Sequence, residues 1–157
     1  MRVIYGVNPV LEAIRAKTGL KKVIISSLRA DRAALSIIRE AQSCGLYVER
    51  LPDEDIERLA GTKKHQGVAA IALEGFRYSD VDGLLDIWRK SGEPAFFLAL
   101  DSIHDPQNLG SLIRSAEAAG AHGIIIPKDR ACEVTPTVAK TSAGATEYVK
   151  IALVVNL

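Results

Sequence analysis

The sequence predicts an α/β protein made of two consecutive α/β segments, and three observations carry that expectation. Short apolar runs alternate with stretches of helical period along almost the whole chain. The alternation is broken at 76–94, where polar, Ser, Gly and Pro residues gather. After that break the runs 95–100, 123–127 and 147–153 are nearly continuously apolar, as in strands of a parallel sheet covered on both faces.

In order, residues 2–5 read as a short strand. Asn8-Pro9 starts a helix, with Asn as cap, Pro in the first turn, and Val10, Leu11 and Ile14 facing inward. Residues 22–26 form a strand. Asp31 caps a second helix whose inner face carries Leu35, Ile38 and Ala41 and which Gly45 ends. Residues 46–51 alternate as a strand, Asp53 opens a short helix closed by Gly61, and 68–73 is a last strand. Residues 1–75 thus make a three-layer α/β domain. The stretch 76–94, with a helix-like piece at 81–89, reads as a linker. The segment 95–157 then runs strand, helix (107–119), strand (123–127), helix (136–142), strand (147–153), about half of a doubly wound domain.

Composition narrows the function. With 157 residues, 48% hydrophobic, 25% charged and a formal net charge of +1, overall charge points to no nucleic-acid partner, so a basic surface has to be local. No apolar run approaches bilayer length and no export-type apolar core opens the chain, so no membrane partner and a cytoplasmic location are expected. Cys44 and Cys132 lack metal-ligand spacing and read as reduced thiols in or near the core. Asp101, His104 and Asp105 lack a further ligand of matching type, so no metal site is expected. No Gly-x-Gly-x-x-Gly or phosphate-loop pattern follows a strand, which argues against a nucleotide-cofactor metabolic enzyme.

The stretch 101–120 gathers the polar groups. A strand ends in the acidic loop Asp101-Ser102-Ile103-His104-Asp105-Pro106 and feeds a helix with Leu109, Leu112, Ile113 and Ala116 on one face. Asn108 stands at the helix entrance and Arg114 points away from the apolar stripe, both at the carboxyl end of a strand where α/β sheets bind ligands. Taken singly, Asn108 is also an ordinary helix-start residue and Arg114 an ordinary surface arginine. Gly110 reads as a close-packing position and Gly120 as a helix stop. In the first segment Lys63, Lys64, His65 and Gln66 form the best candidate RNA contact, lysines for phosphates and His65 and Gln66 for bases or ribose; a polar loop before an edge strand is the equal alternative. Arg29, Arg32 and Arg50 could extend a basic face, but scattered arginines are more often ordinary surface.

The order Asp101, Asp105-Pro106, Asn108, Gly110, Arg114, Ala116, Gly120 resembles the first signature motif of the SpoU/TrmH class of SPOUT RNA 2′-O-ribose methyltransferases. The likeness continues through 123–130, ending at Arg130, and through Lys140-Thr141-Ser142-Ala143-Gly144-Ala145. Tyr5-Gly6-Val7-Asn8-Pro9-Val10 and His65-Gln66-Gly67-Val68-Ala69 resemble the amino-terminal substrate-binding domain of the class. Among its members the bacterial 23S rRNA guanosine-2′-O-methyltransferases are most similar. The resemblance implies an L30e-like RNA-binding domain over 1–75 and the amino-terminal part of a SPOUT domain over 95–157. It implies methyl transfer from S-adenosylmethionine to a ribose hydroxyl, with Asn108 shaping the site and Arg114 acting on the target nucleotide. A guanidinium stays charged at any ordinary pH, so Arg114 suits a bidentate grip on phosphate and a growing oxyanion better than a general base. RNA is the implied partner, rRNA ahead of tRNA, and the complete enzyme is implied to be a homodimer. The class's second and third motifs, which form the trefoil knot and hold the cofactor, are missing from this sequence. The expectation is therefore a truncated chain with an incomplete, knot-lacking SPOUT domain, no cofactor-binding residues of its own and no activity alone. The alternative is a non-catalytic L30e-like RNA-binding module.

Overall fold

In the computed structural model, which describes residues 2–129 and 131–157, the chain divides into the units Met1–Gly75 and Phe76–Leu157. The first contains β1 (Arg2–Tyr5), α1 (Val7–Arg15), β2 (Leu20–Ser26), α2 (Arg32–Ser43), β3 (Val48–Leu51), α3 (Asp53–Ala60), a 3-10 turn (Lys63–His65) and β4 (Val68–Ala72). The sheet order is β1-β4-β2-β3; β4 runs antiparallel to both neighbours, and β2 runs parallel to β3. Strand period sorts the side chains into two cores. Ile4, Val23, Ile25, Val68 and Ala70 pack under α1 and α2, while Tyr5, Ile24, Ala69 and Ile71 pack against Ile56 of α3. All five residues of β4 are buried, so the strand after the Lys63–Gln66 segment is interior and not an edge.

Three local readings shift. The first helix starts at Val7, with Gly6 at the cap position at φ 96° and Asn8 already helical. Pro9 sits buried in the first turn, where its missing N–H costs no hydrogen bond. In α2 the inner stripe is Ala34, Ile37 and Ala41, and Leu35 is 47% exposed; small Ala34 lets the helix approach the sheet, which the apolar count alone does not reveal. Cys44 follows α2 and is exposed, away from the core, while Cys132 is half-buried and packs against the core of the second unit.

The second unit contains α4 (Val81–Ser91), β5 (Phe97–Ala99), α5 (Pro106–Ala118), β6 (Gly123–Pro127), α6 (Pro136–Thr141), a 3-10 turn (Ala145–Glu147) and β7 (Ile151–Val154). Its sheet is parallel in the order β5-β6-β7. Leu109 and Ile113 of α5, Ile124 and Ile126 of β6, Val138 and Ile151 share one core. The last strand starts at Ile151, later than the apolar run suggests, because Gly144 at φ 95° turns the chain into the 3-10 turn first.

The stretch 76–94 is not a linker but part of this unit. Asp80 caps α4 by accepting the Gly83 N–H at 2.8 Å. Leu84 is fully buried, and a Cβ on Gly123 would stand 2.6 Å from its Cδ2. The Tyr78 hydroxyl accepts the Val134 N–H at 2.8 Å, and burial pushes the Tyr78 pKa up. Buried His122 joins the end of α4 to β5: Nε2 lies 2.9 Å from the Ser91 hydroxyl, and Nδ1 lies 3.2 Å from the Phe96 nitrogen. Sequence period alone missed this because α4 buries only one of its side chains, Leu84.

Leu84→Ala is expected to cost about 2–5 kcal/mol in urea unfolding, and Gly123→Ala about 1–3 kcal/mol through overpacking. A free connector would tolerate both changes.

Candidate functional site

At the carboxyl end of β5, the loop 100–105 delivers the chain into α5. The Asp105 carboxylate accepts the Asn108 N–H at 3.0 Å, and Pro106 occupies the first helical position. Asp105 is therefore the cap, and Asn108 stands two positions beyond Pro106 with an exposed side chain. Leu109, Gly110, Ile113 and Ala116 face inward. Asn108, Ser111 and Arg114 follow one another at i, i+3 and i+6 along the solvent side, and all three are exposed. Helical geometry separates Asn108 from Arg114 by ~9 Å along the axis and ~120° around it, with Ser111 between them. None of the three side chains has a hydrogen-bond or ion-pair partner among the described residues. Sequence reading found the two ends of this row and missed Ser111; its signal is the three-residue spacing.

The row's position is set from below. A Cβ on Gly110 would lie 1.9 Å from Thr141 Oγ1 and 2.9 Å from the Val138 carbonyl, so α5 lies against α6 closely enough to exclude any side chain there. The Thr141 hydroxyl is 3.0 Å from the Thr137 carbonyl and 3.2 Å from the Pro106 carbonyl, joining the two helices. Ser102 holds φ 54° in the loop before α5, a conformation uncommon for a residue with a side chain. The Cys132 N–H donates to the Ile103 carbonyl at 2.8 Å, tying the loops after β5 and β6 together. Burial, followed by the charges of Asp105 and Glu133, raises the Cys132 thiol pKa, so this cysteine is no activated nucleophile. A groove of about 340 Å³ lies at the strand ends, lined by Asp101, Pro127, Asp129, Val155, Asn156 and Leu157. Arg130 lies outside the described residues.

The first unit has a groove of about 490 Å³ at the Lys63–Gly67 segment. Lys63, Lys64 and Gln66 are exposed, but His65 is buried. The Gly67 N–H donates to His65 Nδ1 at 3.0 Å. Gln66 (φ 56°) and Gly67 (φ 64°) are consecutive left-handed residues that turn the chain into β4. The Gln66 side chain accepts the Val7 N–H at 3.2 Å, closing the uncapped start of α1. Of the four residues expected to meet RNA, the two lysines are presented outward, His65 forms wall, and Gln66 is engaged in holding a helix end. Ser26, Leu28, Arg29, Asp53 and Glu57 complete the lining; of these, sequence reading singled out only Arg29.

Arg29 and Arg50 do not extend a basic face. Arg29 grips the Asp31 carboxylate with Nε and Nη2 and donates to the Gln66 carbonyl. Arg50 donates to the Ser26 and Arg29 carbonyls at 3.1 and 2.9 Å. The Arg29 hydrogen bond, then the Ala34 N–H, hold the Asp31 pKa below the ordinary carboxylate range. Among the described residues no group of three His, Cys, Asp or Glu could hold a metal ion.

Comparison with known proteins is consistent across both units. Residues 3–74 match the family model for RNA 2′-O ribose methyltransferase substrate binding, and residues 95–157 match the SpoU rRNA methylase family. The chain belongs to the SpoU/TrmH family. A Bacillus subtilis protein named as a TrmH family tRNA/rRNA methyltransferase, YacO, is 38% identical over 154 residues, covering 98% of this chain and 61% of the relative. An uncharacterized tRNA/rRNA methyltransferase of Mycobacterium avium is 36% identical, covering 98% and 50%. The chain thus spans between half and about three-fifths of these relatives' lengths. Among solved structures, the AdoMet-bound rRNA methyltransferase of Sinorhizobium meliloti is 25% identical with a TM-score of 0.70, covering 97% of this chain and 53% of that one. The SpoU methyltransferase AviRb of Streptomyces viridochromogenes, 21% identical with a TM-score of 0.72, covers 98% and 53% and shares the fold.

Gly110→Ala is expected to cost about 1–3 kcal/mol, and Asp105→Ala about 0.5–2 kcal/mol through loss of the cap, both read by denaturant unfolding. For Asp31, with its lowered pKa, the stabilising grip of Arg29 is complete above the ordinary carboxylate value and is lost as pH falls through the lowered one. Arg29→Ala should move the Asp31 titration, followed by carboxyl NMR, back upward.

Proposed function

We propose that this chain carries the RNA-binding unit and the ribose-positioning face of an RNA 2′-O-ribose methyltransferase. The observation that carries the reading is the exposed, unpartnered Asn108–Ser111–Arg114 row at the carboxyl edge of a parallel sheet. It lies within a chain whose two halves match the substrate-binding and methylase parts of one family. Folding uses none of these three side chains, and their chemistry suits a nucleotide. Arg114 presents a fixed fork of donors for a phosphate beside the target and for negative charge growing on the 2′-oxygen. Asn108 has both a donor and an acceptor with which to hold the ribose in one orientation. Arg114, always charged, does not take the proton. The first unit is read as the L30e-like part, with Lys63 and Lys64 on RNA phosphates.

S-adenosylmethionine supplies the methyl group in this chemistry. The described residues at the strand ends do not enclose a molecule of that size. Their groove, about 340 Å³, is at the small end of ligand sites, which bury most of a ligand's surface. The chain by itself is therefore expected to bind the cofactor weakly and not to turn over. Tight, stoichiometric binding of S-adenosylmethionine in calorimetry would overturn that expectation. A non-catalytic RNA-binding module is the second reading, favoured by a first-unit groove that lies wholly within residues 26–67.

Two measurements test the proposal. Binding of rRNA fragments by the full chain should weaken with salt, and Arg114→Ala, like Lys63→Ala, should flatten the log–log salt slope by about 1; unchanged slopes would remove these side chains from the phosphate backbone. In an enzyme that joins this site to a complete cofactor pocket, Arg114→Lys should lose about 100-fold or more in kcat, as Arg114→Ala does. Near-normal turnover of the Lys variant would show that the fork is not needed.

A further inference from the structure

The groove of the first unit holds hydrogen-bonding groups that folding leaves unused. Asp53 and Glu57 stand four residues apart on α3 and line the same wall. Like charges at this spacing repel along a helix, and neither carboxylate has a partner among the described residues. His65 also lines the groove and is 6% exposed. Because Nδ1 accepts the Gly67 N–H, the neutral ring carries its proton on Nε2. That nitrogen has no partner among the described residues, yet it is not sealed off from solvent, so it offers a donor to the groove. Gly67 forms the floor, where a Cβ would stand 3.1 Å from Ser26 Cβ and 3.7 Å from Asp53 Oδ1. Leu28, 86% exposed, adds an apolar lip. Lys63 lines the groove, and Lys64 is exposed next to it in the chain.

Two acceptors, one fixed donor, an apolar lip and neighbouring cations do not suit a phosphate, which the carboxylates would repel. They suit a base. Guanine alone among the four presents two adjacent donors, N1–H and the N2 amine, beside an acceptor, O6; uracil has a single N–H, and adenine and cytosine one amine each. We propose that this groove is a guanine pocket for an unstacked nucleotide of loop or single-stranded RNA. Asp53 and Glu57 accept from N1–H and the N2 amine, His65 Nε2 donates to O6, and Leu28 covers the face of the base. Lys63 and Lys64 take the flanking phosphates. The assignment rests on the RNA reading above and adds a base-specific contact to it.

The test is fluorescence anisotropy of the full chain with hairpin RNAs of one stem whose otherwise uridine loops carry a single G, A, C, U or inosine. The G loop is expected to bind about tenfold tighter than A, C or U, and inosine, which lacks the N2 amine, should lose most of that margin. The Asp53→Asn, Glu57→Gln double variant should lose the margin between G and the other loops. Lys63→Ala with Lys64→Ala should weaken all five together and keep the margin. Unchanged circular-dichroism melts establish that the variants are folded, and Glu57→Gln alone replaces any that is not. Salt-dependent binding without a G margin, or a margin that survives the double variant, overturns the pocket and leaves the RNA reading standing. No binding of any hairpin overturns both.

Discussion

The contact between Gly110 and Thr141 sets the geometry on which the second unit's site depends. With no Cβ on one helix and a threonine on the other, α5 and α6 approach closely enough that the Thr141 hydroxyl reaches the Pro106 carbonyl at the start of α5. Asp105 closes the same helix end from the loop side. Held at this end and packed through Leu109, Ile113 and Ala116, α5 presents one fixed face to solvent. The Asn108–Ser111–Arg114 row is thereby aimed without any of the three side chains taking part in the aiming. Side chains that carry no structural duty keep all their hydrogen-bonding capacity for a ligand.

The first unit reaches a similar result by a different route. Burial of β4 on both faces leaves no room for polar side chains along the strand, so they gather in the turn that precedes it. Two consecutive left-handed residues, Gln66 and Gly67, make that turn tight enough to carry His65 inward while leaving the lysines outside. Arg29 and Arg50, which in the sequence could belong to a basic face, are consumed by backbone carbonyls and by Asp31. The cationic surface is correspondingly smaller than the composition suggests. What the arginines build is a rigid wall beside a groove whose own chemistry is acidic on one side.

The α/β character, most strand positions and the Asn108–Arg114 motif were legible because each rests on local information: period, capping residues and spacing. The errors share a cause. Apolar period puts Leu35 inside and passes over Ala34 because hydrophobicity favours the larger side chain, whereas a close helix–sheet approach favours the smaller. The helix Val81–Ser91 looks in the sequence like part of a linker because a single buried leucine meeting a glycine far along the chain, Gly123, leaves almost no periodic trace. Asp53 reads in the sequence only as the start of a helix, and nothing singles out Glu57, since nothing local shows that they line one groove with His65.

By itself, then, the sequence determined the class of fold, the family and the two segments in which polar groups collect, because turn chemistry, apolar period and motif spacing act over a few residues at a time. Only the tertiary structure decided which of those groups are free. Whether Arg29 meets RNA or Asp31, whether Gln66 meets a base or the Val7 N–H, and whether His65 faces solvent or a groove depend on partners up to dozens of residues away. A polar side chain's availability is what remains after the folded chain has satisfied its own backbone groups, and that remainder exists only once the fold is made.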